Sequence, residues 1–214
     1  QGIESVNCFD LSGKSVTLSF WAKAGANYSG GNLSVQVATG TVADQGAGSY
    51  TLWTGLAYAI NTTQAISTTY TRYTFTGTFG SGVLESNVLF IYTPSGTAGA
   101  DDAVYITGVQ LEVGSVATPY EMQIYSDQLA QCQRYYETGI IDNDFRPTNG
   151  TSTQAVYPFK VTKRSAPTMG GSLSSSQGTA SFGTSNSSSF VIYVSPTTVV
   201  TGIFANPWTA ESEI

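Results

Sequence analysis

The chain has 214 residues, with 14 acidic and 8 basic side chains, no histidine and a formal net charge of −6. Charged residues make up only 10% of it and aromatic residues 12%, which excludes a disordered chain and, with the basic residues scattered apart from Lys163–Arg164, argues against a nucleic-acid binder. Without histidine there are no histidine-based triads, dyads or metal clusters, no apolar run approaches the roughly 20 residues that span a bilayer, and no signal-peptide pattern opens the chain.

Candidate strands follow in order: SVTLSFWAKA (15–24), NLSVQVA (32–38), YTLWT (50–54), YTRYTFTGTF (70–79), NVLFIY (87–92) and AVYITGVQLEV (103–113). The turn-forming stretches GANYSGG, GTVADQGAG, NTTQ, GSG and PSGTAG separate them. Short strands punctuated in this way predict a β-sandwich. Phe20 and Trp21 point to opposite sides of one strand. One belongs in the core, and the other is left for a loop or a neighbouring subunit to cover. In the last of these strands the apolar alternation slips near Gly108.

After Gly114 and Ser115, Pro119 biases Thr118 towards extended backbone, so ATPYE reads as a stiff connector. A helix is predicted over 126–137, with Ser126 as N-cap and Asp127 in the first turn. Leu129, Cys132 and Tyr136 fall on one face, Gly139 is the expected stop, and Tyr135 and Tyr136 lock the helix between two domains. Beyond it, VYPFKV, FVIYV and TTVVTGIFA read as strands, with TASFG as a candidate fourth. The low-complexity stretch GGSLSSSQGTASFGTSNSSS between them reads as a long polar turn. Trp208 is expected to bury against the second domain or a sister subunit. The fold is therefore all-β: a β-sandwich over 1–122, then a short helix and a second, smaller β domain over 123–214. Cys8 and Cys132 give no disulfide framework or metal spacing. Cys132 reads as a small buried apolar group, with a Cys8–Cys132 bridge as the lesser alternative.

The run ITGVQLEVGSVATPYEMQIYSDQLAQCQRYYETG, residues 106–139, resembles a signature of tailed-bacteriophage tail-fibre and prophage tail proteins. In those proteins a β-sandwich ends in QLE-x-G-x-x-ATPYE and a short helix then reads CQRYY. VTLSFWAKAG near the start and YITGVQLEVG near the end of the first domain are similar to the most repeated pieces of a jelly-roll sandwich of the carbohydrate-binding-module type. FKVTKRSAPT and WTAESEI resemble the terminal domain of the same tail proteins. The resemblance covers nearly the whole chain and is most specific over 109–136, 159–168 and 208–214. It implies a jelly-roll, carbohydrate-binding-like first domain, a homotrimer, host cell-surface polysaccharide as receptor and a place in the virion, in a tail fibre or tailspike. Such proteins usually carry an attachment region upstream, through which other virion proteins would be joined. The first residue is Gln rather than Met, which reads as a fragment or processed form of a longer polypeptide.

Sugar recognition needs exposed aromatic faces with polar groups nearby. GAGSYTLWTGLAYA offers Tyr50, Trp53 and Tyr58 in a Gly-rich setting, and Tyr28 lies in the polar loop ANYSGGN. For each the alternative is packing in the sandwich core, with Trp53 evenly balanced between the two. The remaining catalytic option is a carboxylate pair acting on polysaccharide. Asp101–Asp102, Asp142 with Asp144, and Glu211 with Glu213 read instead as solvated acids. Asp142-Asn143-Asp144 has calcium-like alternation but too few ligands, so a polar turn is preferred. No cofactor is predicted. Jelly-roll modules often hold a structural calcium ion, but it cannot be assigned to particular residues here. A wide neutral Ser/Thr/Tyr surface suits a threefold interface, which would be sheet-based because the helix is too short for a coiled-coil stalk. The leading reading is a non-enzymatic receptor-binding component. A purely structural virion component stands second, as a trimerisation or terminal cap domain or a capsid decoration. A polysaccharide depolymerase stands third.

Overall fold

The computed structural model describes residues 1–96, 98–143, 152–175, 178–196 and 203–212. The chain is mostly β-strand with two short α-helices. It divides into two compact units, Gln1–Met122 and Gln123–Glu213.

The first unit contains β1 (Gly2–Ile3), α1 (Ser5–Cys8), β2 (Ser15–Ala24), β3 (Leu33–Gly40), β4 (Ala57–Gln64), β5 (Thr71–Thr78), β6 (Glu85–Ile91) and β7 (Val104–Val113). They form a four-stranded sheet in the order β1-β6-β3-β4 and a three-stranded sheet in the order β5-β2-β7, all pairings antiparallel. The two sheets enclose one core. Val16, Leu18, Phe20 and Ala22 come from one side, and Leu33, Val35, Val37, Ile60 and Val88 from the other. This is an all-β sandwich. Apart from the β3–β4 hairpin, the chain changes sheet at each step from β2 to β7, the crossing habit of a jelly roll.

Two expectations in this unit are corrected. YTLWT is not a strand: residues Ala47–Leu52 form a 3-10 turn, kinked at Ser49, and Trp53 donates its indole N–H to the Gly46 carbonyl at 3.1 Å. NTTQ is not a turn: it ends β4, where Thr62 and Thr63 pair with Val35 and Ser34 while Ile60 enters the core. β-Branched threonines suit a half-buried strand better than their polarity suggests. The slip in alternation near Gly108 is a β-bulge: register shifts between Ser19 and Trp21, and Gly108 takes φ +58°.

The second unit holds α2 (Tyr125–Gln133), β8 (Tyr136–Asn143), β9 (Thr153–Pro158), β10 (Thr168–Ser175), β11 (Gly178–Ser185), β12 (Ser189–Pro196) and β13 (Ile203–Glu211). Two three-stranded sheets, β10-β13-β8 and β11-β12-β9, enclose Ile141, Phe159, Phe190, Ile192, Val194, Trp208 and Ala210. Trp208 is buried in this core, its ring 4.8 Å from Phe190 and 6.1 Å from Phe159. The Ser/Gly-rich stretch is not a long turn. It supplies β10 and β11, whose Met169, Leu173 and Phe182 pack against the core.

The helix is shorter than expected. Its N-cap is Ile124, without a side-chain cap, so Ser126 does not cap it. Gly139 does not stop it, because the chain has already entered β8. There the missing side chain makes room for Trp208: a Cβ on Gly139 would lie 2.6 Å from Trp208 Cζ2. Tyr135 and Tyr136 lie past the helix: the Tyr135 N–H donates to the Cys132 carbonyl at 3.0 Å, and Tyr136 opens β8. Both cysteines are free. Cys132 is exposed and Cys8 is buried, which removes the bridge and corrects the buried reading of Cys132. Burial, with Glu85 adding to it, pushes the Cys8 thiol up to about 12, so it stays protonated and unreactive at neutral pH.

Candidate functional site

The alternation of β2 decides which side chains face outward. Val16, Leu18, Phe20 and Ala22 are fully buried in the core. Thr17, Ser19, Trp21 and Lys23 therefore point to the outer face of the β5-β2-β7 sheet. The two halves of this face have different fates.

At the Thr17–Ser19 end, the connector after β7 folds back over the sheet. Thr17 Oγ donates to the Gly114 carbonyl at 2.7 Å. Glu112 accepts the Thr118 backbone N–H at 2.9 Å and its hydroxyl at 2.7 Å. Gln110 donates to Thr118 Oγ1 at 3.0 Å and accepts the Glu121 N–H at 2.9 Å. Arg72 donates to Ser19 Oγ at 3.0 Å and also to the Thr118 carbonyl. The Thr118 hydroxyl and N–H, helped by Gln110 and Arg72, hold the Glu112 carboxyl below its usual range. The QLE and ATPYE pieces are thus the two halves of one clasp.

At the other end the face is open and aromatic. Trp21 is 41% exposed, Tyr70 49%, Tyr105 42% and Tyr120 43%. Lys23 lies directly across from Tyr105, and its Nζ sits 4.9 Å from the Tyr105 ring centroid and 5.4 Å from that of Tyr70. Trp21 and Tyr120 both border Gly108: a Cβ there would lie 3.3 Å from Trp21 Cδ1 and 3.7 Å from Tyr120 Cδ2. The bulge glycine keeps the floor between the two rings low. Tyr105 is oriented by its hydroxyl, which donates to Asp101 Oδ1 at 2.7 Å and is itself pushed to a higher pKa by that contact. Flat rings bordered by one cation and several hydroxyls can stack on C–H-rich sugar faces.

Asp101 and Asp102 stand in contact with solvent and are also tied to the backbone of neighbouring loops. Asp101 accepts the Ala26 N–H at 2.6 Å, and Asp102 accepts the N–H groups of Ser29 at 2.7 Å and Gly96 at 3.2 Å. These donors lower both carboxyls and tie the 25–30 and 95–102 loops together. The side chains of Asp142 and Asn143, together with Asp144 and Glu213, lie outside the described residues. Among the described residues no group of three or more histidine, cysteine or acidic side chains is placed to hold a metal ion. No helix among them is long and apolar enough to cross a membrane.

The four aromatic residues singled out in the sequence do not form one platform. Trp53 is buried at 5% exposure and pins the loop after β3. Tyr50 is half-buried in the same loop. Tyr58 is 39% exposed on β4, the edge of the other sheet. Tyr28 belongs to the loops held by Asp101 and Asp102. Among the described residues its hydroxyl, shut off from solvent, has no hydrogen-bond partner, and burial first, then Asp102 and Tyr92, raise its pKa. The open set is Trp21, Tyr70, Tyr105 and Tyr120. Its signal was in the alternation of β2, since four apolar residues of one parity send Trp21 outward.

In the second unit the signature pieces meet at a buried ion pair. Lys163 Nζ lies 2.5 Å from Glu137 Oε2, with side chains 0% and 2% exposed. Lys163 also donates to the Gln133 carbonyl and sits 4.8 Å from the Phe159 ring centroid. Glu137 accepts the Lys160 N–H, Arg164 N–H donates to the Arg134 carbonyl at 3.0 Å, and Ser212 N–H donates to the Tyr135 carbonyl at 2.8 Å. CQRYYE, FKVTKR and WTAES therefore share one structural hub, and Lys163 is not part of a surface basic pair. No protein-family model matches the chain, and no curated protein sequence matches it.

Proposed function

We propose that this chain is a non-enzymatic contact module of a phage tail fibre or tailspike, which binds host-surface glycan through the open face of β5-β2-β7 and works as a homotrimer. The observation that carries the glycan half is the group of exposed rings, Trp21, Tyr70, Tyr105 and Tyr120, at the open end of the β5-β2-β7 face. Aromatic side chains grouped on an otherwise polar surface mark contact sites. Three copies would turn weak sugar contacts into firm adhesion by raising effective concentration. The test is a glycan array and a host-cell adsorption assay on the intact chain. Trp21→Ala is expected to lower binding at least tenfold, about 1.4 kcal/mol, with an unchanged melting curve. Absence of binding by the parent trimer removes the receptor role.

A second reading, a purely structural virion component, is favoured by a different observation. Gln110, Glu112, Thr118, Glu137 and Lys163, which lie in the signature pieces, are all engaged in holding the fold. Ile124 (71% exposed) and Tyr125 (75%), at the start of the second unit, also offer apolar surface that another chain could cover. Under this reading the combined change of Ile124 and Tyr125 to Ser dissociates the oligomer in light scattering, while Trp21→Ala has no effect on adsorption.

A further inference from the structure

We propose that the open face of the first unit selects anionic sugars, with Lys23 as the residue that reads the negative group. This rests on the glycan-binding reading above and sharpens it to a ligand class. Lys23 stands next but one to Trp21 on the same face of β2, about 7 Å along the strand. A sugar ring stacked on Trp21 would bring an exocyclic acidic group, or one on the adjoining sugar, within reach of the ammonium. The cation is already positioned, because its Nζ lies over the rings of Tyr105 and Tyr70 at 4.9 Å and 5.4 Å. Tyr105 is in turn fixed by its hydrogen bond to Asp101. Little side-chain freedom therefore remains to be lost on binding.

The cation is also available. Among the described residues Lys23 makes no ion pair: the acid closest in effect, Asp101, spends one oxygen on the Tyr105 hydroxyl and the other on the Ala26 N–H. The other cation on the face, Arg72, differs in this respect, because its guanidinium is engaged by Ser19 and the Thr118 carbonyl inside the clasp. In a chain of net charge −6, a lysine between exposed tyrosines that makes no ion pair among the described residues is the feature that would favour a negative ligand over a neutral one. Ammonium is a point charge and does not distinguish carboxylate, sulfate and phosphate by shape. The ligand class is therefore an anionic glycan.

The test compares the intact chain on paired glycans: uronic-acid oligosaccharides against the same molecules with their carboxyls reduced to alcohols, and sulfated or phosphorylated glycans against their neutral parents. The expected result is a preference of about fivefold for the acidic member, the upper end for an exposed ion pair, which shrinks with added salt. Lys23→Gln should bring the ratio to about one and Lys23→Arg should keep it, both with parental melting curves. Equal binding of acidic and neutral members by the parent overturns this inference and leaves the glycan reading standing. A preference that survives in Lys23→Gln also overturns it, by taking the selection away from Lys23. If the parent binds no member of any pair, the glycan reading itself fails and this inference with it.

Discussion

The two units solve one problem in opposite ways. Each must anchor a segment of irregular chain against a small sandwich, and each does so with a carboxylate. In the first unit Glu112 works at the surface, where Thr118, Gln110 and Arg72 surround it in partial contact with water. In the second unit Glu137 works in the interior, where Lys163 is its counter-ion. The difference teaches where stability should be fragile. A solvated clasp can lose one partner and let water replace it. A buried pair cannot, because the remaining charge has no solvent to turn to. The size of the units adds to the contrast, since the second is the smaller and has less apolar surface to draw on.

The sharpest way to break this comparison is Lys163→Met. The change strands the Glu137 carboxylate in the interior and is expected to destabilise the second unit by about 3–5 kcal/mol. The first unit should keep its unfolding midpoint, which hydrogen exchange resolved by segment would show. Combining Lys163→Met with Glu137→Leu should recover most of the loss, because well-packed apolar groups often replace a buried pair without penalty. If the single change costs no more than a surface substitution, the pair is solvated and the contrast between the units collapses.

A smaller effect is expected at Gly139. In Gly139→Ala the new methyl would fall within 2.6–2.8 Å of three atoms of the Trp208 ring. Trp208 is buried and braced by Phe190 and Phe159, so it cannot swing aside as a flexible side chain would. Overpacking of this kind costs about 1–3 kcal/mol. Trp208 is the only tryptophan of the second unit, and its fluorescence in a background of Trp21→Phe and Trp53→Phe would report the altered packing directly. An unchanged emission maximum and midpoint would show that Gly139 serves the backbone of β8 and not the indole.

How much of this was legible in the sequence follows from what each residue had to compete with. β2 was plain, because Val16, Leu18, Phe20 and Ala22 alternate with Thr17, Ser19, Trp21 and Lys23 and nothing nearby contradicts them. β8 was hidden because CQRYYETG carries apolar residues at helical spacing and ends in a glycine that reads as a helix stop. The reason for that glycine, the Trp208 ring, is about 70 residues away in sequence, beyond any local pattern. β10 was hidden by its serines, which suit a turn equally well until Met169 and Leu173 find a core, whereas TASFG, the candidate fourth strand, is the centre of β11, where Phe182 packs on that core. At the candidate site, Trp53 and Trp21 sit in equally polar neighbourhoods. Only the strand parity of Trp21 separated them, since Trp53 lies in a loop where no periodicity applies. Gln110, Glu112 and Lys163, which the resemblance covers, hold the structure together through their own contacts.

The smallest expected effect tests the surface half of the comparison. The contacts of Glu112 depress its folded pKa, so its contribution is present above the unfolded value, about 4.3. It is lost as pH falls through the depressed folded value. Asp101 and Asp102 are depressed as well and add to the same slope, so the informative quantity is the difference between parent and Glu112→Gln. That difference in the urea midpoint of the first unit should amount to no more than about 1 kcal/mol at neutral pH, because water screens the clasp. It should narrow towards zero once pH has fallen below the depressed folded value, where the carboxyl is protonated in both states. The amide keeps one acceptor for Thr118 and puts a donor in place of the other carboxylate oxygen, so the substitution removes the charge together with one accepted hydrogen bond. A difference that persists unchanged into acid would mean that the clasp is held by shape and neutral hydrogen bonds. The first unit would then be anchored without electrostatic help, and the contrast with Glu137 would be one of kind and not of degree.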